Sequence, residues 1–300
     1  MHKIDPAPRQ SRGPGTRSAF GQLLRQWRGR RRLSQLALAV EAEISTRHLS
    51  FVETGRAHPS RDMVLLLARV LEVPPRARNE LLTAAGYAPM YRETELEAPE
   101  MAQVRQALEF MLRQQEPYPA LVVDGHWNIL MTNEGASRLI GLFLDPAALA
   151  AVGRPNAIRL TYHPHGLRPF IVNWEATAAA LIQWLHRDIL RGIGDADTRR
   201  LLDELLSYPD VPRQWRMLDV DASTAPFLAV ELAKGDVRVK FFSTLTSLGV
   251  PYDITLQELR VECFFPADAD SERLMRSLAT EGAPGRGATG APAGGERAHF

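Results

Sequence analysis

The chain has 300 residues, 45% apolar and 24% charged, with a formal net charge of +1, which is the composition of a globular protein that buries a sizeable core. At roughly 100–200 residues per domain, this length predicts two domains. The longest stretch without a charged residue has 12 residues (241–252) and the one cysteine is Cys263, so the composition excludes a membrane-spanning helix, a disulfide framework and a multi-cysteine zinc site.

The charge is divided unevenly along the chain. Residues 1–90 carry 15 lysines and arginines against 7 acidic residues, whereas residues 91–300 carry 21 against 28. A basic part joined to an acidic part is typical of a nucleic-acid-binding module attached to a non-binding domain; the alternative is chance clustering on a solvated face. Residues 1–17 have no periodicity and predict a disordered basic arm. They contain no apolar secretion signal, so we expect a cytoplasmic protein.

Residues 18–90 predict an all-helical domain of five short helices. Apolar residues recur there at spacings of three and four, for example in residues 63–71. Ser34, Ser45 and Ser60 each precede such a segment, where a side-chain oxygen can accept a bond from a free backbone N–H.

The strongest local pattern lies in residues 33–60. A short helix begins after Ser34 and buries Leu38, a tight turn follows, and a second helix begins after Ser45 and buries Leu49. Two short helices packed across a tight turn expose the first residues of the second helix. Those residues can enter the DNA major groove while the first helix lies over the backbone.

This unit resembles the helix-turn-helix domain of the Xre and phage-repressor class over residues 19–73. The matching elements at fixed spacing are Ser34-Gln35, Leu38-Ala39, Ile44-Ser45, Leu49-Ser50, Glu53, Gly55-Arg56 and Pro59. Members usually have Gly in the turn between the two helices, where this chain has Glu43. A non-Gly residue with positive φ costs about 1 kcal/mol, so we expect the turn to be strained by that amount.

The resemblance implies a DNA-reading surface at the beginning of the second helix. The candidate DNA contacts are Gln35, Ser45, Thr46, Arg47, Ser50, Phe51, Arg56 and Arg61. Arg47 can fork onto guanine O6 and N7, and Phe51 can contact a thymine methyl group or, alternatively, pack in the core. The residues that suit phosphates are Gln35, Arg56, Arg61, Arg28 and residues 30–32. Glu53 is expected to be structural, because a carboxylate that faces phosphates is repelled.

Residues 91–116 predict a linker and a connecting helix. Apolar residues between 101 and 112 mark one amphipathic helix, which Pro117 stops. Its apolar face can be buried by either domain or by a second subunit. We expect this helix to be the mechanical link between the domains.

Residues 117–279 predict an α+β domain, a sheet of about five antiparallel strands with helices on one side. The predicted strands are residues 120–123, 127–131, 227–232, 237–246 and 254–265, and the predicted helices are residues 134–144, 174–190 and 198–206. Asp124-Gly125 is a hairpin signal and residues 249–251 predict a turn. Residues 280–300 are mostly Gly, Ala and Pro and predict a disordered tail.

The last predicted strand alternates between two faces. Val261 and Cys263 belong to one face, and Arg260 and Glu262 belong to the other. Such alternation is typical of a strand whose two faces have different surroundings.

We find no catalytic set in the second domain and expect no enzyme activity. His163 and His165 lie close together, but no carboxylate or thiolate clusters with them, so we expect no metal site. Ser243 and Lys240 fall on opposite pleat faces, which argues against a Ser-Lys self-cleaving domain.

The chain is also similar to the MmyB-like branch of the Xre regulators, over about residues 19–270. The segments that carry this resemblance are residues 47–51, 84–89, 116–120, 124–128 and 253–266. In that branch the second domain has a PAS-like fold and is expected to hold a fatty acid or a similar apolar ligand, with no other cofactor.

A ligand site in such a domain needs apolar walls and one or two polar groups. The candidate ligand contacts are Trp127, Asn133, Arg168, Asn173 and Trp174. Arg168 is the candidate charge partner for a carboxylate, with Asn133 and Asn173 as amide donors. The alternatives are that Asn133 caps a helix, that Arg168 lies on the surface and that Trp174 belongs to the core.

These features predict a DNA-binding transcription regulator that binds a double-stranded operator as a homodimer, with no membrane partner. The second domain is expected to bind a small apolar effector that changes the affinity for DNA. The alternative is that this domain only mediates dimerisation or partner binding. A third possibility, an enzyme acting on an acyl substrate, lacks a nucleophile with a positioned base.

Overall fold

A computed structural model of the chain describes residues 18–191, 196–216, 229–248 and 253–281. The basic arm predicted at residues 1–17, the predicted turn at residues 249–251 and the predicted tail beyond residue 281 lie outside the described residues.

The N-terminal domain consists of helices, as the sequence predicts. They are α1 (Ala19–Arg30), α2 (Gln35–Glu41), α3 (Thr46–Thr54), α4 (Arg61–Val70) and α5 (Pro75–Ala84). The hydroxyls of Ser34, Ser45 and Ser60 each accept a bond from the backbone N–H three residues later, which confirms the predicted caps. Their apolar faces meet in one core around Leu24, Leu49 and Leu67.

The turn between α2 and α3 has the left-handed backbone that the resemblance implies. Glu43 has a φ of 54°, and Ile44 N–H donates to the Ala39 carbonyl at 2.9 Å, which closes the turn. A residue with a side chain therefore accepts a conformation in which Gly is cheaper. At its other end, α3 stops at Gly55, whose φ is 76°.

A close approach between α1 and α3 depends on Gly21. A Cβ atom added to Gly21 would lie 2.3 Å from the Glu53 carbonyl oxygen. The absence of a side chain here lets α1 pack directly against the backbone at the end of α3.

The second domain contains five described strands. They are β1 (Ala120–Val123), β2 (Ile129–Thr132), β3 (Val230–Lys234), β4 (Val237–Ser247) and β5 (Arg260–Pro266). They form one sheet in the order β2-β1-β5-β4-β3, and all pairs are antiparallel. The α+β class and the five-stranded antiparallel sheet are therefore confirmed.

Eight further described helices surround this sheet. They are α6 (Ala102–Gln115), α7 (Glu134–Phe143), α8 (Pro146–Val152), α9 (Ala157–Tyr162), α10 (Trp174–Arg191), α11 (Ala196–Leu205), α12 (Ile254–Glu258) and α13 (Ala269–Glu281). Helices α8, α9, α12 and α13 were not predicted. Within the described ranges, no single helix has both the length and the composition to cross a membrane, although α7 and α8, bent by 98°, pass that test as a pair.

Two predicted strand boundaries are wrong. Residues 254–258 form α12 instead of the first half of a strand, because Asp253 accepts a bond from Thr255 N–H at 2.9 Å and caps a helix there. The second predicted strand begins at Ile129 instead of Trp127, because Trp127 lies in the loop with a φ of 68°. Residues 227 and 228, the first two of the strand predicted at residues 227–232, lie outside the described residues.

Both faces of the sheet are covered, whereas the sequence predicts helices on one side. On one face, Leu108 and Leu112 of α6 pack against Ala120, Val122 and Val261. The other face packs against the helices that follow β2. The apolar face of α6 is thus buried by the second domain within the same chain.

Replacing Gly21 with Ala is expected to destabilise the N-terminal domain by about 1–3 kcal/mol, because the new methyl group overlaps the Glu53 carbonyl. The matched control is Gly29→Ala on the same helix, where a Cβ meets nothing within 4 Å and the better helix propensity adds up to about 1 kcal/mol. Urea unfolding followed by circular dichroism measures both. Equal stability of the two variants would contradict this packing.

Candidate functional sites

The leading residues of α3 are open to solvent. Ser45 and Arg47 are exposed, and Thr46 and Ser50 are half-buried. Leu49 is buried on the opposite side, in the core of the N-terminal domain. The first turn of α3 therefore faces away from the body of the protein, as a groove-reading helix must.

Two arginines flank the ring of Phe51. The Arg47 guanidinium lies 5.4 Å from the ring centroid and that of Arg56 lies 5.9 Å from it, both within cation–π range. Phe51 is half-buried, and Arg56 and Arg61 are exposed. This side of the domain offers positive charge around one aromatic ring that remains partly accessible.

Glu53 is the buried polar centre of the N-terminal domain. Its side chain is fully buried and accepts bonds from Arg28 Nε at 2.7 Å, Arg28 Nη2 at 3.1 Å and Gln35 Nε2 at 2.7 Å. Burial acts to raise the pKa of Glu53, but the bonds from Arg28 and Gln35 outweigh it, and the pKa lies below its usual value. Glu53 therefore joins α1, α2 and α3 as an ionised carboxylate, in agreement with its expected structural role.

The bond to Glu53 bears on the DNA contact predicted for Gln35. The amide nitrogen of Gln35 already donates a hydrogen bond to Glu53. Arg28 donates hydrogen bonds both to Glu53 and to the Leu33 carbonyl, the latter at 3.0 Å. Arg30 lies over the Trp27 ring at 4.7 Å. DNA contacts by these three residues remain predictions, and their geometry favours holding the helices together.

An apolar cavity of about 340 Å³ lies in the second domain between the sheet and helices α7, α9 and α10. Its apolar lining includes Leu121, Ile129, Leu139, Ile140, Ile158, Leu181, Leu232, Phe241 and Phe264. A concave, mostly apolar space of this size is typical of a small-molecule site.

One wall of this cavity is aromatic. Trp127 and Trp184 line it and pack edge to face, with ring centroids 4.4 Å apart. The Arg260 guanidinium lies 5.3 Å from the Trp127 ring and 5.2 Å from the Trp184 ring, and it pairs with Asp188 at 3.3 Å. The loop that carries Trp127 is held by Asp124, which accepts bonds from His126 N–H and Asn128 N–H.

Sequence reasoning missed the acidic residue in this cavity. Glu262 of β5 lines it, in register with Leu121 of β1 and Leu245 of β4. Burial raises the pKa of Glu262 to about 7, and a hydrogen bond from the Ser243 hydroxyl opposes that rise. Strand alternation correctly assigned Glu262 and Val261 to different faces of the sheet. Because helices cover both faces, the face that carries Glu262 also lies inside the domain.

A second polar group reaches the cavity from α10. Thr177 lines it, and within the described residues its buried hydroxyl oxygen has no hydrogen-bond partner. Buried hydroxyls are normally bonded. An unpartnered hydroxyl beside an open space marks a position where a ligand can bind.

Of the five predicted ligand contacts, Trp127 lines the cavity and the other four are not among its lining residues. Asn133 caps α7 by accepting from Ala136 N–H at 2.9 Å. Asn173 donates to the Ala229 carbonyl at 2.7 Å and accepts from Glu231 N–H at 3.0 Å, which fixes the edge of β3.

The remaining two predicted contacts pack on each other. The Arg168 guanidinium lies 4.0 Å from the Trp174 ring, and Trp174 packs edge-on against Tyr162 at 5.0 Å. We therefore keep Trp127 alone among the sequence-based candidates for ligand contact and add Glu262 and Thr177 from the structure.

A polar cluster, which we call the Arg76 link, joins the two domains through Arg76, Glu93 and Glu258. Arg76 of α5 donates to Glu258 of α12 through Nε at 3.0 Å and Nη2 at 2.9 Å, and to Glu93 through Nη1 at 3.1 Å. The bonds that Arg76 donates to Glu258 and Glu93 outweigh burial and raise the pKa of Arg76. Ile254 N–H also donates to the Arg92 carbonyl at 2.8 Å.

Comparison with known proteins gives two matching families. A family model described as "MmyB-like transcription regulator ligand binding domain" matches residues 104–278, and one described as "Helix-turn-helix domain" matches residues 19–81. No curated protein matches the chain. One similar solved structure is titled "Structure of an RNA-binding Light-Oxygen-Voltage Receptor", with 12% identity and a TM-score of 0.25. That match covers 89% of this chain and 63% of the receptor chain, which is less than two thirds of it.

Glu262→Gln is expected to stabilise the protein at alkaline pH. Because burial raises the pKa of Glu262 from 4.5 to about 7, the folded chain keeps this proton between those values while the unfolded chain loses it. The free energy of unfolding therefore falls as the pH rises through that window, by up to about 3 kcal/mol. The glutamine of the variant has no proton to lose, so the free energy of unfolding of the variant, relative to that of the native chain, increases from pH 4 to pH 8.

Urea unfolding of both proteins at pH 4 and pH 8 measures this difference. The control Glu109→Gln changes an exposed glutamate on α6 and is expected to shift stability by less than about 0.5 kcal/mol at either pH. A pH-independent difference between the native chain and Glu262→Gln would show that folding leaves the pKa of Glu262 unchanged, and would contradict the burial of its carboxyl group.

Proposed function

Because the chain belongs to the family of MmyB-like transcription regulators, DNA-binding proteins with a ligand-binding domain, we propose that it recognises a specific operator and that a small apolar effector in its second domain changes its affinity for that operator. The observation that carries the proposal is the pairing of an open α3 with an apolar cavity in one chain.

The leading turn of α3 is the proposed reading surface. Thr46, Arg47 and Ser50 are accessible there, and Arg47 has the fork of donors that matches guanine O6 and N7. Phe51 supplies an apolar edge for a thymine methyl group, with Arg56 and Arg61 against phosphates and Ser45 at the start of the helix.

A short reading helix of this kind contacts only a few base pairs, so we propose that the protein binds as a homodimer on two half-sites. Half-sites about one helical turn of DNA apart place two such helices in successive major grooves. Residues 1–17 are proposed to add phosphate contacts as a basic arm.

The proposed effector is an apolar molecule, fatty-acid-like in its aliphatic body, because the cavity walls are mostly aliphatic and aromatic. The alternative is that the second domain only dimerises or binds a partner. Native mass spectrometry separates the two: a retained small-molecule mass supports the effector, and a dimer free of any such mass supports the alternative.

The proposed coupling runs through α12 and β5. Glu262 faces the cavity, and Glu258, four residues earlier, binds Arg76 of the N-terminal domain. A ligand that displaces β5 by a small amount therefore acts on the Arg76 link directly. Coupling requires that the effector bind the two arrangements of the domains with different affinity.

Arg47→Ala is expected to weaken binding to an operator selected from a random library by about 1–3 kcal/mol and to relax the preference at one base step. Arg200→Ala, which removes an exposed arginine from α11, is the charge-matched control and should leave operator binding unchanged. Fluorescence anisotropy with operator and random duplexes measures both. An equal loss on both duplexes would make Arg47 a phosphate contact.

Glu258→Gln is expected to weaken binding to the full operator at least fivefold, because the two N-terminal domains of the dimer, and with them the two α3 helices, are no longer held at a fixed spacing. Binding to a duplex with a single half-site should stay unchanged. Arg76→Ala, which also breaks the bonds to Glu93, should weaken binding at least as much, and the double variant should lose no more than Arg76→Ala alone, since both changes remove the contact between Arg76 and Glu258. Additive losses, or an unchanged full operator, would rule out the Arg76 link as the coupling route.

A further inference from the structure

The cavity of the second domain has one ionisable side chain among its described lining residues, and that side chain is acidic. Glu262 lines the space, and the other described lining residues are apolar, aromatic or hydroxyl-bearing. The three helices that face the sheet across the cavity, α7, α9 and α10, contribute no charged side chain to its wall.

The position of Glu262 is fixed by the sheet. In the central strand β5 it stands between Leu121 of β1 and Leu245 of β4, and its neighbours Val261 and Cys263 point to the opposite face, toward α6. Pleat alternation therefore directs the carboxyl group inward, and turning it to the other face would require a register shift of the strand.

The charged group nearest along the strand is Arg260, whose buried Nη1 has no hydrogen-bond partner among the described residues. Arg260 lies on the same pleat face of β5, but it pairs with Asp188, covers the rings of Trp127 and Trp184, and is not among the residues that line the cavity. Ser243 donates a hydrogen bond to Glu262. Glu262 is thus left as an acceptor facing an apolar space.

This arrangement selects the polar end of a ligand. A carboxylate placed against Glu262 meets a like charge in a site of low polarity, where repulsion is strong. A protonated amine meets an opposite charge, and the ring of Phe264, two residues from Glu262 on the same pleat face of β5, favours a cation as well. The free hydroxyl of Thr177 offers a further acceptor.

We propose that the cavity binds an apolar molecule that ends in a protonated amine, held by the Glu262 carboxylate, and that it discriminates against a free carboxylate of the same chain length. This inference rests on the proposed function, in which the cavity is the effector site. The raised pKa of Glu262, about 7 without a ligand, agrees with it, because an ammonium group supplies the missing counter-charge.

The test compares three ligands that share one ten-carbon chain, a primary amine, an alcohol and a carboxylic acid, each below its micelle concentration. Isothermal titration with the full-length protein at pH 8 is expected to show the amine binding at least tenfold more tightly than the acid. Lowering the pH to 5.5 protonates Glu262 and should weaken amine binding about tenfold, while alcohol binding stays within threefold.

Glu262→Gln provides the decisive variant. We expect it to lose at least tenfold in amine affinity, to keep alcohol affinity and to gain affinity for the acid, whereas the control Glu109→Gln keeps the native order. Alcohol binding shows that the variant cavity is intact. If Glu262→Gln no longer binds the alcohol, the second variant is Ser243→Ala, which keeps the Glu262 carboxylate and must therefore preserve the preference for the amine.

The outcomes separate this inference from the proposed function. If the acid binds the native protein at least as tightly as the amine, the inference is overturned while the effector site stands, and Arg260 becomes the candidate partner of the acid. If none of the three ligands binds and native mass spectrometry finds no retained molecule, the effector site itself is overturned.

Discussion

The organisation of the second domain follows from one constraint: β5 is the central strand of a sheet that is covered on both faces. The pleat sends Val261 toward α6 and Glu262 into the cavity on the other side. A strand in this position cannot place a charged side chain in bulk water, so the acidic residue has become part of an interior wall. The same strand is continuous with α12, which contacts the N-terminal domain, so ligand site and domain contact belong to one short segment.

The N-terminal domain depends on a different kind of centre. Glu53 is buried and ionised, and Arg28 and Gln35 hold it from two other helices. Removing one partner of a buried charge costs several kcal/mol, because the other charge remains without compensation. The side chains that carry this centre point inward from α1, α2 and α3, and the leading turn of α3 remains free for DNA.

Sequence reasoning predicted the five N-terminal helices well, because apolar spacing marked them and serine caps marked the beginnings of α2, α3 and α4. It missed α12, which is too short for a helical period and in which Ile254 and Leu256 imitate strand alternation; the cap at Asp253 was the available signal. It also missed Glu262 as a cavity residue, because alternation shows which residues share a face but not whether that face meets water. Asn133 and Asn173 bond to nearby backbone in the structure, as an amide in an irregular segment often does, and for Asn133 this is the helix cap that the sequence had offered as the alternative.

The Arg76 link contacts the N-terminal domain through Arg76 of α5 and includes no residue of α3. In the proposed function, the residues that choose a DNA sequence and the residues that receive the signal from the second domain are therefore separate sets on separate helices. If the proposed function holds, substitutions in the first turn of α3 can redirect the protein to a new promoter without disturbing its response to the effector. Changes in the cavity can then alter which effector is bound without altering the genes under control. Specificity for DNA and specificity for the effector can thus evolve independently within one chain.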